Sequence, residues 1–275
     1  MRPHGSSRLA EDLLKLAQQG ARRRDVLRWG IGAGAIALVG CDGDPSTSVG
    51  GTPLLVRVDA AGDDGGVTQQ CTSLPPEIIG PYPADGSNGV NALNLAGIVR
   101  GDIRPSLAGA SGIAEGVPLR LTLTVVSSAC VAQPGMAIYL WHCDRDGNYS
   151  MYSPSVVDEN YLRGVQQTDR NGKLTFVSIF PGCYPGRWPH LHLEIYPNVA
   201  AAVEGGRSVF ISQLAMPEQS CRLAYAAPGY ETSATSLNSV ALSTDISFSD
   251  GADLQIPAIR GTLDNGFDAS LTITV

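Results

Sequence analysis

Along the body of this chain, apolar positions return every second residue rather than every third or fourth. In residues 119–125 (LRLTLTV), Leu119, Leu121, Leu123 and Val125 fall on one side and Arg120, Thr122 and Thr124 on the other. That period is the signature of a strand with one buried face. Further candidate strands are 136–144 (MAIYLWHCD), entered through Gln-Pro-Gly, and 173–180 (KLTFVSIF), which follows an Asp-Arg-Asn-Gly turn. The series continues with 190–196 (HLHLEIY), 208–216 (SVFISQLAM) and 268–275 (DASLTITV). No useful length of helical periodicity occurs, although the long connections 147–163 and 218–255 leave room for a little helix. Short strands with turn signals at this density predict an all-β fold, an antiparallel β-sandwich with long loops. The 32 glycines and 18 prolines agree with many turns and few long helices.

The first 67 residues do not share this pattern. In 22–41 (RRRDVLRWGIGAGAIALVGC) a basic cluster precedes an apolar run too short to span a bilayer as a mature helix. Arg23-Arg24-Asp25-Val26-Leu27-Arg28 resembles a twin-arginine export signal, and Leu38-Val39-Gly40-Cys41 resembles a bacterial lipobox, whose cysteine is acylated. Residues 1–41 are therefore expected to be a signal with a lipid-anchored Cys41 on the exported side, and that anchor the chain's one link to a membrane. Residues 42–67, rich in Gly, Asp, Ser and Thr, are expected to be a flexible linker to a globular domain over 68–275. The whole chain has a formal charge of −7. Seven of its 19 Lys/Arg but three of its 26 Asp/Glu precede Cys41, so the mature part stands at −11. A body so acidic argues against a nucleic-acid partner, which needs a basic face.

Candidate chemistry is concentrated in 182–196 (GCYPGRWPHLHLEIY), which holds two of the chain's four histidines. On a strand, His190 and His192 project from one face while Leu191, Leu193 and Ile195 pack behind. Two imidazoles on one face of a rigid strand make half a metal site. No Asp or Glu stands at motif spacing from the pair, but Tyr184 lies six residues upstream and Tyr149 sits in the turn after the 136–144 strand. A phenol ionises near pH 10 when unperturbed. A strong Lewis acid is needed to hold it as phenolate, so a set of two tyrosines and two histidines suits Fe(III) better than Zn(II). His142 reads as a satisfied core histidine instead.

The order of motifs resembles that of the intradiol ring-cleavage dioxygenases, the protocatechuate and catechol dioxygenase family, in its exported single-chain branch. The segments are Gly80-Pro81-Tyr82, Trp141-His142-Cys143-Asp144 leading to Gly147-Asn148-Tyr149-Ser150, and Leu162-Arg163-Gly164-Val165-Gln166 with Thr168-Asp169. They continue through Pro181-Gly182-Cys183-Tyr184-Pro185-Gly186-Arg187, Pro189-His190-Leu191-His192, Gln213-Leu214 and Gly266-Phe267-Asp268-Ala269. The resemblance implies one non-haem Fe(III) held by Tyr149, Tyr184, His190 and His192. It implies a catechol-type vicinal diol cleaved with O2 to a cis,cis-muconate-type product. Tyr184 would act as a base, Arg187 would stabilise charge on the bound substrate, and Gln213 would orient dioxygen or the arginine. Gly80, Pro81 and Tyr82 would line the substrate mouth.

Several positions depart from the family pattern. Pro83 stands where a second aromatic is common, Cys183 where Trp is usual, Trp188 where smaller residues are common, and Ala215-Met216 where an aromatic pair is usual. The four ligands are kept, so the departures concern the pocket's shape. Among the cysteines after Cys41, Cys130 and Cys143 flank a strand roughly 20 Å long, which makes a direct bridge awkward. Cys71 is expected to pair with one of them. Cys183 and Cys221, extra to the branch pattern, are expected to form a second bridge. The competing readings are a non-catalytic exported β-sandwich binding lipoprotein and a Zn(II) hydrolase; retention of both tyrosines speaks against the latter.

Overall fold

The computed structural model describes residues 70–275, so the expected signal, the lipid-bearing Cys41 and the linker lie outside the described residues. Eight strands form two four-stranded sheets. They are β1 (Pro118–Val126), β2 (Ala137–Trp141), β3 (Arg163–Gln167), β4 (Lys173–Ile179), β5 (His190–Tyr196), β6 (Phe210–Ala215), β7 (Ala258–Thr262) and β8 (Gly266–Thr274). The first sheet runs β4-β1-β8-β7 and the second β3-β2-β5-β6. Three short helices join them: α1 (Val199–Val203), α2 (Glu218–Ala224) and α3 (Glu231–Leu237).

The alternation in β1 does what its period requires. Leu119, Leu121, Leu123 and Val125 are buried, and they share one hydrophobic cluster with Ile138 and Leu140 of β2 and Leu191, Leu193 and Ile195 of β5. Both sheets thus contribute their inward side chains to one core, the arrangement that stabilises two-layer folds.

The second sheet differs in that β2 and β5 are buried on both faces. Its outer face is covered by a second cluster in which Ala84, Ala92, Leu93 and Ile98 pack on Ala137, Tyr139, Trp141 and Tyr196. Residues 79–98 therefore roof this sheet, and the histidine pair lies under that roof.

Two expectations need correction. The first sheet is mixed, because β1 and β8 pair in parallel while the other ladders are antiparallel. Parallel neighbours cannot be joined by a tight turn, and here nearly the whole domain separates them. The second correction concerns sulfur. Cys71 pairs with Cys130, one of the two partners expected, but Cys183 and Cys221 are both free and buried. Their thiols are engaged apart: Cys221 Sγ faces the Met216 carbonyl at 3.8 Å, and Cys183 Sγ faces the Arg187 carbonyl at 3.6 Å.

Candidate metal centre

Tyr149 is delivered by the turn that follows β2. Asp144 Oδ1 accepts the backbone N–H groups of Asp146 and Asn148, at 3.0 and 2.9 Å, and the Asp144 N–H donates to the Asn148 carbonyl. Gly147 sits at φ +86°, and a Cβ there would stand 3.0 Å from Cβ of Tyr184, so glycine lets the two tyrosine-bearing loops touch. Tyr184 comes from the loop before β5, where Ser233 Oγ on α3 accepts the Cys183 N–H at 2.8 Å. His190 and His192 lie on one face of β5, as their spacing predicts.

The four side chains converge. Tyr149 Oη lies 3.4 Å from Tyr184 Oη, 3.4 Å from His190 Nε2 and 3.2 Å from His192 Nε2. Tyr184 Oη is 3.3 Å from His190 Nε2, and the two Nε2 atoms are 3.0 Å apart. Neutral O–H···N or O–H···O bonds would draw such pairs closer. Spacings of this size are instead about those between donors that each sit ~2 Å from a common ion.

Electrostatics point the same way. Burial pulls both histidines well below their ordinary pKa, with Arg187 adding to the shift in His190, and His190 and then Arg187 adding to it in His192. The imidazoles therefore stay neutral and keep a lone pair to offer. Burial pushes Tyr149 and Tyr184 up, and Arg187 pulls against that push at both. Phenolates here need a strong local cation. Among the described residues no group of three or more His, Cys, Asp or Glu is arranged to hold a metal. The two-tyrosine, two-histidine set has a convergent donor geometry, and its two phenols suit a hard trivalent ion.

The two imidazoles are held differently. His190 Nδ1 donates to the Trp188 carbonyl at 2.5 Å, which fixes Nε2 as the free lone pair. His192 Nδ1 is buried without a partner among the described residues, and its ring lies flat on Trp141 with centroids 4.9 Å apart and planes 4° off parallel. Gly80, at φ +82°, closes on the same ring: a Cβ there would stand 2.9 Å from His192 Cε1. The Gly-Pro-Tyr element thus touches a histidine directly, besides placing Tyr82 against Tyr149 (centroids 4.9 Å) and Tyr152 (5.1 Å). Gly80→Ala is accordingly expected to tilt His192 and lower metal affinity by about 10–100-fold, the scale of a lost supporting contact. Gly89→Ala is the control, since Gly89 shares the left-handed backbone but a Cβ there meets nothing within 4 Å. Equal metal affinity in the two variants would show that the close approach to His192 does not matter.

Arg187 is buried beside the tyrosines. Its Nε donates to Asp245 Oδ2 at 2.9 Å and its Nη2 to Gln213 Oε1 at 2.6 Å, while Nη1 has no partner among the described residues. Gln213 is fixed in turn through Nε2 to the Ile78 carbonyl at 2.7 Å. A cavity of ≈ 530 Å³ lies between α2, α3 and the following loop; Phe248, one of its walls, stands 6.4 Å ring to ring from His190. Trp188 lines the same cavity and is pinned by its Nε1–H to the Met216 carbonyl.

Other residues fall as expected or were missed. His142 is a satisfied core histidine: Nδ1 meets the Cys143 carbonyl and Nε2 meets Ser178 Oγ, both at 2.7 Å, and burial brings its pKa to about 4. Arg163, noted only as part of a motif, is buried and donates to the carbonyls of Tyr82, Pro83 and Ser150. It thereby ties the Gly-Pro-Tyr element to the Tyr149 loop. Asp245 was not singled out at all. It lies in a polar loop with no local signal, and its partner is 58 residues away.

Comparison with known proteins agrees with the motifs. A family model described as "Dioxygenase" matches residues 99–196. A chlorocatechol 1,2-dioxygenase of Rhodococcus opacus is 36% identical over 66 residues, which is 24% of this chain and 26% of that protein, so the match spans about a quarter of its length. Among solved structures, an intradiol ring-cleavage dioxygenase from Tetranychus urticae superposes with a TM-score of 0.57 at 24% identity, covering 74% of this chain and 94% of that one. A second dioxygenase structure gives a TM-score of 0.58 at the same identity and coverage. At that identity the superpositions speak for a shared fold.

Proposed function

We propose that this chain, whose motifs, family-model match and fold resemble those of the intradiol ring-cleavage dioxygenases, is itself such an enzyme. In this reading it packs as a β-sandwich, binds one non-haem Fe(III), and cleaves a catechol-type vicinal diol with O2 to a cis,cis-muconate-type product. The observation that carries the reading is the convergence of Tyr149, Tyr184, His190 and His192 at 3.0–3.4 Å beside a buried arginine with a spare edge.

Bound by those four donors, Fe(III) would supply the Lewis acidity that holds phenolates and diol oxygens ionised near neutral pH and makes the ring reactive toward O2. The chain's own residues supply the rest. Tyr184 Oη accepts a proton from the entering diol. Arg187 Nη1 faces the negative charge left on the substrate, a preorganised donor in a site shielded from water. Gln213 holds Nη2 of the same guanidinium. Tyr82, tilted against Tyr149 with ring centroids 4.9 Å apart, shapes one wall.

Purified, iron-loaded protein should be burgundy through tyrosinate-to-Fe(III) charge transfer. It should consume one O2 per catechol while muconate absorbance rises. Iron-loaded protein that stays colourless and inert would leave the non-catalytic binding reading in its place. Export rests on residues 23–28 and 38–41 alone: Cys41 should be the first mature residue and carry lipid, and mass spectrometry finding it unmodified or internal would refute the anchor.

A further inference from the structure

A buried guanidinium has five N–H groups to satisfy, and those of Arg187 are divided unevenly. One edge of the planar fork is fully engaged: Nε with Asp245 Oδ2 at 2.9 Å, and Nη2 with Gln213 Oε1 at 2.6 Å, Asp245 Oδ1 at 3.3 Å and Ser247 Oγ at 3.4 Å. The other edge, Nη1, is buried and has no partner among the described residues. Asp245 cannot turn away, because its Oδ2 also accepts the Trp188 N–H at 2.7 Å and its Oδ1 the Ser247 N–H at 2.9 Å. Both side chains of the pair are 1% exposed. The Asp245 carbonyl in turn accepts the N–H groups of Phe248 and Ser249, so the loop that holds the carboxylate is itself hydrogen-bonded into place.

A carboxylate that takes both Nε and Nη2 sets the plane of a guanidinium. Setting that plane decides where Nη1 points. We infer that Asp245 is a positioning residue, which grips Arg187 by its Nε/Nη2 edge so that the Nη1 edge stays presented to the charge on the bound diol. The inference rests on the ring-cleavage reading of the site. It also explains how a full positive charge is kept in a region that excludes water. The ion pair compensates it, while Nη1, free of acceptors among the described residues, remains available.

Asp245→Asn tests this, since it keeps shape and removes the charge. The iron content and the charge-transfer band should match wild type, because no metal ligand is touched. The kcat should fall about 10-fold or more, toward the 10²–10³-fold expected for removing one preorganised donor. The affinity for catechol under anaerobic conditions should change far less. In an Arg187→Ala background the same substitution should lower kcat no further, since its effect runs through Arg187. A wild-type kcat in Asp245→Asn, or an equal fractional loss in both backgrounds, would overturn the inference. Should Asp245→Asn not fold, Asp245→Glu decides between the outcomes, since it keeps the charge and both acceptor oxygens but displaces the carboxylate: iron content and the charge-transfer band should stay at wild type while kcat falls, and a wild-type kcat overturns the inference. A wild-type protein inert toward every catechol would sink the ring-cleavage reading alone. The grip on Arg187 is then judged in metal-free protein by hydrogen exchange of the Arg187 Nε–H. It should be slow in wild type and fast in Asp245→Asn; equal rates would overturn it.

Discussion

His192→Ala should fold and yet come through purification almost free of iron. The ring sits between Trp141, stacked at 4.9 Å, and the glycine at position 80, and its Nε2 is within 3.2 Å of two other donors. None of its neighbours on β5 can replace it. Leu191 and Leu193 face the core, and the next residue on the same side of β5, Glu194, lies roughly 7 Å along the strand with its carboxylate engaged by the Tyr196 hydroxyl at 2.7 Å. Loss of a supporting contact alone costs about 10–100-fold in metal affinity, so loss of the ligand should exceed that. The cavity left behind costs on the order of 2–3 kcal/mol, which makes circular dichroism a necessary control. Iron per chain after identical loading, together with absorbance in the visible charge-transfer band, is the measurement. A folded variant with wild-type iron would remove His192 from the ligand set.

Much of this site is legible in the sequence because strand geometry is so regular. An HxH pair on an alternating segment places two imidazoles on one face whatever the rest of the fold does. The apolar residues between them then report which face is the core. The order of the remaining motifs brings in Tyr149 and Tyr184, and the structure places Tyr149 Oη 3.4 and 3.2 Å from the two imidazoles and Tyr184 Oη 3.3 Å from His190. Legibility fails where a residue's meaning depends on a distant partner. Arg187 reads as a charge near the site, but its grip by Asp245 joins the loop before β5 to a turn after the last helix. The roof over the second sheet is equally hidden, since residues 79–98 form no strand or helix and have no period to read.

The strands missed have physical reasons too. β3 (RGVQQ) and β7 (AIRGT) are short and contain glycine, so neither displays two full alternations. β3 is held by its pairing with β2, and β7 by its pairing with β8, rather than by intrinsic preference. The expected Cys183–Cys221 bridge is absent for a related reason. Both cysteines read as extra, but where a buried thiol points is decided by packing, and these two face different backbone carbonyls.

The sharpest division of labour predicted within the site lies between its two tyrosines. Both are buried, but Tyr149 is 1% exposed and capped by Tyr82, whereas Tyr184 is 8% exposed. Burial pushes both phenols up, and Arg187 pulls against that push at both. The greater exposure of Tyr184, together with the family resemblance, assigns it the part of the phenol that moves and trades a proton with an entering diol. Tyr184→Phe should therefore retain iron, because Tyr149, His190 and His192 remain, and should keep a weakened visible band from Tyr149 alone. Its kcat should fall by about 10²–10⁴-fold, the usual scale for losing a positioned general base. Tyr149→Phe should instead compromise iron retention, since the fixed ligand is gone. Oxygen uptake and muconate formation measured at equal iron occupancy separate the two effects. Wild-type turnover in Tyr184→Phe would show that the diol's proton goes elsewhere, and would leave Tyr184 as a ligand without a catalytic part.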